Sequence, residues 1–101
     1  MTIDEFQKLI ERLYYTKDKT RGLEGTFMWF AEEVGELSRA IRKAKHRSKK
    51  VPKELEEEFA DCFAWLVTLA SLTGIRLEKA IKKYADGCPK CHKIPCECRE
   101  K

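Results

Sequence analysis

No stretch of this sequence approaches the roughly 18 consecutive apolar residues that a membrane-spanning helix needs, so the chain reads as one that does not cross a bilayer. Nothing in it alternates apolar and polar residues with period two, which argues against a β-sheet. It has no internal repeat and no low-complexity tract. The start, Met1-Thr2-Ile3-Asp4-Glu5, lacks the basic residues and apolar stretch of a signal peptide; the expectation is a cytoplasmic address. Acids are missing from Arg39 to Lys53, where eight Lys/Arg accumulate, and bases are missing from Glu54 to Asp61, where five acids follow. A solvated basic loop leading into an acid-rich helix N-terminus explains most of this. The competing reading is that some of the bases meet an anionic ligand. With 17 acids against 21 bases and a net charge of +4, the composition argues against a dedicated nucleic-acid binder.

What is present reads as helix. A chain of 101 residues makes one domain with a small core, and such domains commonly need a staple or a partner subunit. Thr2 and Glu5 form a capping-box pair, followed by Phe6, Leu9, Ile10 and Leu13 at helical spacing. The polar segment 16–25, with Gly22 and Gly25 as breakers, reads as a loop, and Thr26 as the N-cap of a second helix. Phe30, Val34, Leu37 and Ile41 form the apolar stripe of that helix, which should end near Lys45, with a turn near Arg47 or Ser48. Pro52 suits the first turn of a third helix, whose stripe is Leu55, Phe59, Cys62, Leu66 and Leu69 and whose end is Gly74. Leu77, Ala80, Ile81 and Tyr84 mark a short fourth helix ended by Gly87. The fold class is therefore all-α and four-helix bundle-like, with residues 1–86 as the main domain and 87–101 as a separate cysteine-bearing tail.

Two acidic pairs carry the chemistry. Glu33 and Glu36 are three residues apart, as are Glu58 and Asp61, so each pair presents two carboxylates on one helix face. Each also borders its helix's apolar stripe. A short connection makes the two helices antiparallel neighbours, with Glu36 opposite Glu58 and Glu33 opposite Asp61. Four converging carboxylates repel one another unless protons or a cation intervene. Oxygen-only ligands favour Mg²⁺, Mn²⁺ or Ca²⁺, and Mg²⁺ commonly works with substrate phosphates. Trp29 lies four residues before Glu33, and Trp65 four after Asp61, so both indoles share the acidic face. They are either core or a wall for a flat base.

Glu32-Glu33-Val34-Gly35-Glu36 followed after 21 residues by Glu58-Phe59-Ala60-Asp61 resembles the EExxE…ExxD signature of the MazG-like all-α NTP pyrophosphatases. Phe30-Ala31 ahead of the first motif and Cys62-Phe63-Ala64-Trp65-Leu66 behind the second extend the likeness, which reaches from about Arg21 to Ala85. The resemblance implies a Mg²⁺-dependent cleavage of nucleoside triphosphates between the α and β phosphates. It implies that Glu33, Glu36, Glu58 and Asp61 are ligands and that Glu32 supports them. It also implies a homodimer or homotetramer. Relatives often carry a Lys-x-x-x-Asn element; here Lys82 matches the lysine, but Asp86 stands in place of the asparagine. Lys82, with Arg39, would offset charge on the phosphates. Phosphoribosyl-ATP pyrophosphatase is the sister activity within that fold. A non-enzymatic helical adaptor is the reading from another class.

The tail spaces Cys88, Cys91, Cys96 and Cys98 as C-x₂-C-x₄-C-x-C. Four thiolates in so few residues can enclose one structural Zn²⁺ with no open position, and a cytoplasmic address disfavours disulfides. Lys90, Lys93, Arg99 and Lys101 leave open that the tail docks a partner.

Overall fold

The first helix begins as its capping box dictates. The Thr2 amide donates to Glu5 Oε1 at 2.7 Å, and the Glu5 amide donates to Thr2 Oγ1 at 3.0 Å. The computed structural model of the chain describes residues 1–44 and 52–99. It consists of α1 (Ile3–Ala44), α2 (Lys53–Leu72), α3 (Leu77–Ala80) and a 3₁₀ turn (Ile81–Tyr84), with no strand among the described residues. The all-α class thus holds. The turn expected near Arg47 or Ser48 lies outside the described residues.

Segment 16–25 is not a loop. It is helical except at Gly22, whose φ of 81° and ψ of 174° break α1 into two arms. That backbone geometry is essentially open to glycine alone. Gly25 does not interrupt the second arm, and Thr26 is not an N-cap: it is fully buried inside the helix. The polarity that suggested a loop has another cause. Asp18 and Arg21 pair at 3.0 Å, and Arg21 reaches on to Thr26 Oγ1 at 3.3 Å. A polar segment of this kind remains helical when its charges satisfy one another.

The bend lets one helix serve two arms. Glu54, at the start of α2, lies 4.0 Å from Lys43, and Ser71, near its end, bonds Gln7 and Glu11. From Glu54 to Ser71 is about 26 Å of helix, whereas Gln7 to Lys43 would be about 54 Å if α1 were straight. Only a fold-back at Gly22 reconciles the two lengths. Pro52 takes the N-cap position of α2 rather than its first turn, with φ −65° and ψ 144°. Gly74 ends α2 as expected: with φ 77° it completes a Schellman motif, Ile75 N donating to Ala70 O at 2.8 Å and Gly74 N to Ser71 O at 3.1 Å.

The core is narrow and partly polar. Ile10, Ala40, Cys62, Val67 and Ala70 are buried, together with Gln7, Asp18, Thr26 and Thr68. Gln7 is satisfied on every side, donating to Ser71 Oγ and Ile75 O and accepting from Leu77 N. Arg76 bridges Asp4 at 2.8 Å and Glu11 at 2.7 Å, holding the Asp4 carboxyl below its ordinary value. These bonds tie the start of α3 to the first arm. Phe6 stacks on Phe63 with ring centroids 5.5 Å apart.

The expected stripes are only partly covered. Phe30, Leu37, Leu55 and Leu69 are half-buried, but Leu13, Val34, Ile41, Phe59 and Leu66 are exposed, Phe59 to 55%. Helical periodicity identifies an apolar face; it does not say that the same chain covers it. α2 turns toward both arms at once, and small residues such as Ala40 and Cys62 are buried where the bulkier stripe residues are not.

Candidate metal centre and nucleotide site

The second arm of α1 and α2 run antiparallel, as a ladder of contacts shows. Trp29 stacks on Trp65 (centroids 6.2 Å, planes 11° apart), Cys62 Sγ donates to Glu33 O at 3.3 Å, and Lys43 lies near Glu54. This register brings Glu36 to Glu58. One carboxylate oxygen from each of Glu33, Glu36 and Glu58 falls within 4.8 Å of the other two. Asp61, the fourth expected ligand, is exposed and stands outside that trio. Its charge nevertheless reaches both Glu33 and Glu58.

Burial, and then the charges of Glu36 and Asp61, push the Glu33 and Glu58 carboxyls above the ordinary glutamate value of 4.5. Glu58 Oε1 is shielded and, among the described residues, has no hydrogen-bond partner. A shielded acceptor without a donor, beside two like charges, is costly for the chain alone. A cation resolves both problems, and an all-oxygen donor set suits a hard divalent ion such as Mg²⁺ or Mn²⁺. The residues therefore fit the ion that the sequence pattern implies.

A cavity of about 290 Å³ opens beside Asp61 along the seam between the first arm and α2, with Tyr14, Lys17, Asp18, Arg21 and Trp65 among its lining residues. Arg21 lies over the Trp65 ring at 4.8 Å while its guanidinium holds Asp18. The tryptophans thus sit where the acidic face meets a cavity, stacked on each other, with Trp29 half-exposed. The contributions of Tyr14, Lys17, Asp18 and Arg21 were missed by sequence reasoning, which placed most of them in a loop. The i,i+3 spacing of Asp18 and Arg21 was the available signal. Arg39 and Lys82 are exposed, and neither forms an ion pair or hydrogen bond with the carboxylates among the described residues. Lys82 stands on the 3₁₀ turn.

The titration of the trio has a defined sign. Glu33 and Glu58 have folded pKa values raised above the unfolded ones, so the native state holds more protons there. Their contribution is favourable below the ordinary carboxylate range and is lost as pH rises through the raised values. Metal must displace those protons. The thermal stabilisation by Mg²⁺ should therefore be largest at neutral pH and shrink as pH falls toward 4.5. Melting scans with and without Mg²⁺ across that range check this; a gain independent of pH would contradict it. Asp4, whose value is lowered by Arg76, acts below 3.8, outside this window.

The four tail cysteines also meet. Cys88 and Cys98 Sγ are 3.7 Å apart, Cys91 and Cys96 Sγ 4.0 Å, and all four lie within 4.8 Å of one another. Four sulfurs about 2.3 Å from a tetrahedral Zn²⁺ would be about 3.8 Å apart. Backbone amides of Lys90, Glu97 and Cys98 point at Cys88, Cys91 and Cys96 Sγ at 3.3–3.4 Å. The turn that permits this uses Gly87 at φ 105°, where a Cβ would meet Lys93 O at 3.0 Å. Amide donors, with the neighbouring thiols, push Cys88 down to about 6, whereas Cys96 and the other sulfurs push Cys98 up to about 12. The first thiol ionises readily and the last resists, as expected of a cluster that needs a cation to ionise fully.

A model of the MazG nucleotide pyrophosphohydrolase domain matches residues 21–93, well over half of the chain. No curated protein matches it.

Proposed function

The chain belongs to the MazG nucleotide pyrophosphohydrolase family, and we propose that it is a Mg²⁺-dependent enzyme cleaving nucleoside or deoxynucleoside triphosphates to the monophosphate and pyrophosphate. The observation that carries this reading is the meeting of Glu33, Glu36 and Glu58, of which Glu58 keeps one shielded oxygen without a hydrogen-bond partner among the described residues. Glu33, Glu36 and Glu58 would hold the ion, with Asp61, at the rim, as the fourth ligand. When bound, Mg²⁺ supplies Lewis-acid polarisation of the phosphate oxygens.

The rest is done by the chain's own groups. With the carboxylate charge neutralised, a triphosphate would lie in line with an attacking water, which adds to the α-phosphorus and gives up its proton to solvent while the bond to the bridging oxygen breaks and pyrophosphate leaves. The indoles of Trp29 and Trp65 offer an apolar wall for the base, next to the cavity that Arg21 and Asp18 border. Arg39 and Lys82 are assigned to offset charge on the departing pyrophosphate. Asp86, in place of an amide-bearing residue, leaves that end of the site more negative.

Residues 1–86 form the hydrolase domain in this reading, and 87–101 a separate module on a structural Zn²⁺. A reducing cytoplasm suits four free thiols. The exposed Val34 and Ile41 on one helix and Phe59 and Leu66 on the next, each pair seven residues apart, support a homodimer or homotetramer in which a second copy covers them.

Product analysis tests the reaction. Purified protein incubated with a panel of NTPs and dNTPs should yield monophosphate and pyrophosphate with Mg²⁺ and nothing without a divalent ion. Diphosphate plus orthophosphate would overturn the assignment of the bond.

A further inference from the structure

Between the 3₁₀ turn and the cysteine tail lies a second cavity, of about 570 Å³, that the hydrolase reading does not use. Its walls are mainly apolar, with the thiols of Cys88, Cys96 and Cys98 at its border with the cysteine cluster, and Lys83, Lys90 and Lys93 reach it from two different segments. No acid lines it. Two bulky apolar side chains stand beside it and are largely uncovered: Tyr84, 60% exposed, and Ile94, 83% exposed. The Lys83 ammonium sits over the Tyr84 ring, 5.3 Å from its centroid.

An aromatic platform ringed by ammonium groups fits a ligand that is flat and apolar in one part and anionic in another. From this geometry we infer that the tail and the 3₁₀ turn bind single-stranded nucleic acid, with a base stacked at Tyr84 and Ile94 and backbone phosphates on Lys83, Lys90 and Lys93. A strand fits better than a free nucleotide. A free triphosphate gathers its charge at one point and calls for donors directed there. Three exposed ammonium groups on separate positions match phosphates that each carry one charge along a backbone. Stacking does not choose among bases, so little sequence preference is expected. The composition of the whole chain argues against a dedicated nucleic-acid binder, but the surface concerned is local and carries three lysines. The cysteine cluster's part is to hold Lys90, Lys93 and Ile94 in place: Cys88 N donates to Lys93 O at 3.2 Å, and His92 N to Cys88 O at 2.7 Å.

Fluorescence anisotropy with a labelled 12-mer of oligo-dT or oligo-U tests the inference on the full chain, its metal content measured beforehand. Binding at 50 mM salt should weaken with added salt, with a slope in log K against log salt of about −2 for three phosphates neutralised. Lys90→Glu with Lys93→Glu should weaken binding at least tenfold while metal content and triphosphate hydrolysis stay as in the parent. Tyr84→Ala should weaken it about tenfold with the salt slope unchanged. Binding in a Glu58→Gln background should equal that of the parent, which separates this surface from the carboxylate site. The inference is overturned by no binding at low salt, by full binding in the double lysine variant with its metal retained, or by competition from a mononucleotide as effective as that from the oligomer.

Discussion

Glu36→Gln is expected to lower triphosphate turnover by at least about a thousandfold, equivalent to roughly 4 kcal/mol of lost transition-state stabilisation, without unfolding the helices. Glu36 is the centre of the acidic trio in an electrostatic sense: its charge is the largest neighbouring contribution raising both Glu33 and Glu58. An amide at this position keeps the shape, removes one negative charge and replaces one anionic oxygen with a donor. Two opposite effects should follow. The metal-free variant should melt at a temperature equal to or above that of the parent, because like-charge repulsion has been relieved. Stabilisation by Mg²⁺ should largely vanish, because a ligand has gone. Rate assays and melting scans with and without Mg²⁺ measure both. Loss of activity together with a lower metal-free melting temperature would make Glu36 a structural residue. Retained turnover would remove it from the site.

Cys91→Ser should empty the tail of zinc and loosen it while leaving hydrolysis within a few-fold of the parent. The four sulfurs have the separations of a closed tetrahedral site, and structural Zn²⁺ in small modules contributes about 10–16 kcal/mol of binding that is also folding. A hydroxyl is a poor substitute for a thiolate on this ion. The parent should carry one zinc per chain by elemental analysis, and the variant close to none. Limited proteolysis should then cut the variant between Asp86 and Arg99 at concentrations of protease that spare the parent. The helices should survive because their joints lie elsewhere: Gln7 with Ser71 and Ile75, Arg76 with Asp4 and Glu11. If hydrolysis fell together with the zinc, the tail would belong to the active site rather than to a separate module.

The legible parts of this protein are those whose cause is local. The Thr2–Glu5 capping box closed as written, because both partners lie within one turn. Gly74 ended α2 for the same reason. The i,i+3 spacing of Glu33 and Glu36 was enough to put two carboxylates on one face. The tail's cysteines met because so few residues separate them. The stretch before the first acidic motif reads locally as a loop, since Gly22, Gly25 and a run of polar residues resemble one in any local reckoning. Its helix is held by Asp18, Arg21 and Thr26 acting on one another, and Trp65 on α2 covers the guanidinium.

By itself, then, the sequence determined the start of α1, the end of α2, carboxylate spacing and the cysteine cluster, because hydrogen bonds and helical periodicity act over a few residues. The tertiary structure alone decided the rest. It bent α1 at Gly22 so that α2 could lie along both arms, because two helix lengths differing twofold cannot otherwise be matched. It drew Glu58 rather than Asp61 into the tight trio, because the register of α2 against the second arm sets Glu58 beside Glu36. It also left Val34, Ile41, Phe59 and Leu66 exposed, because one small chain has too few neighbours to cover every apolar face it carries.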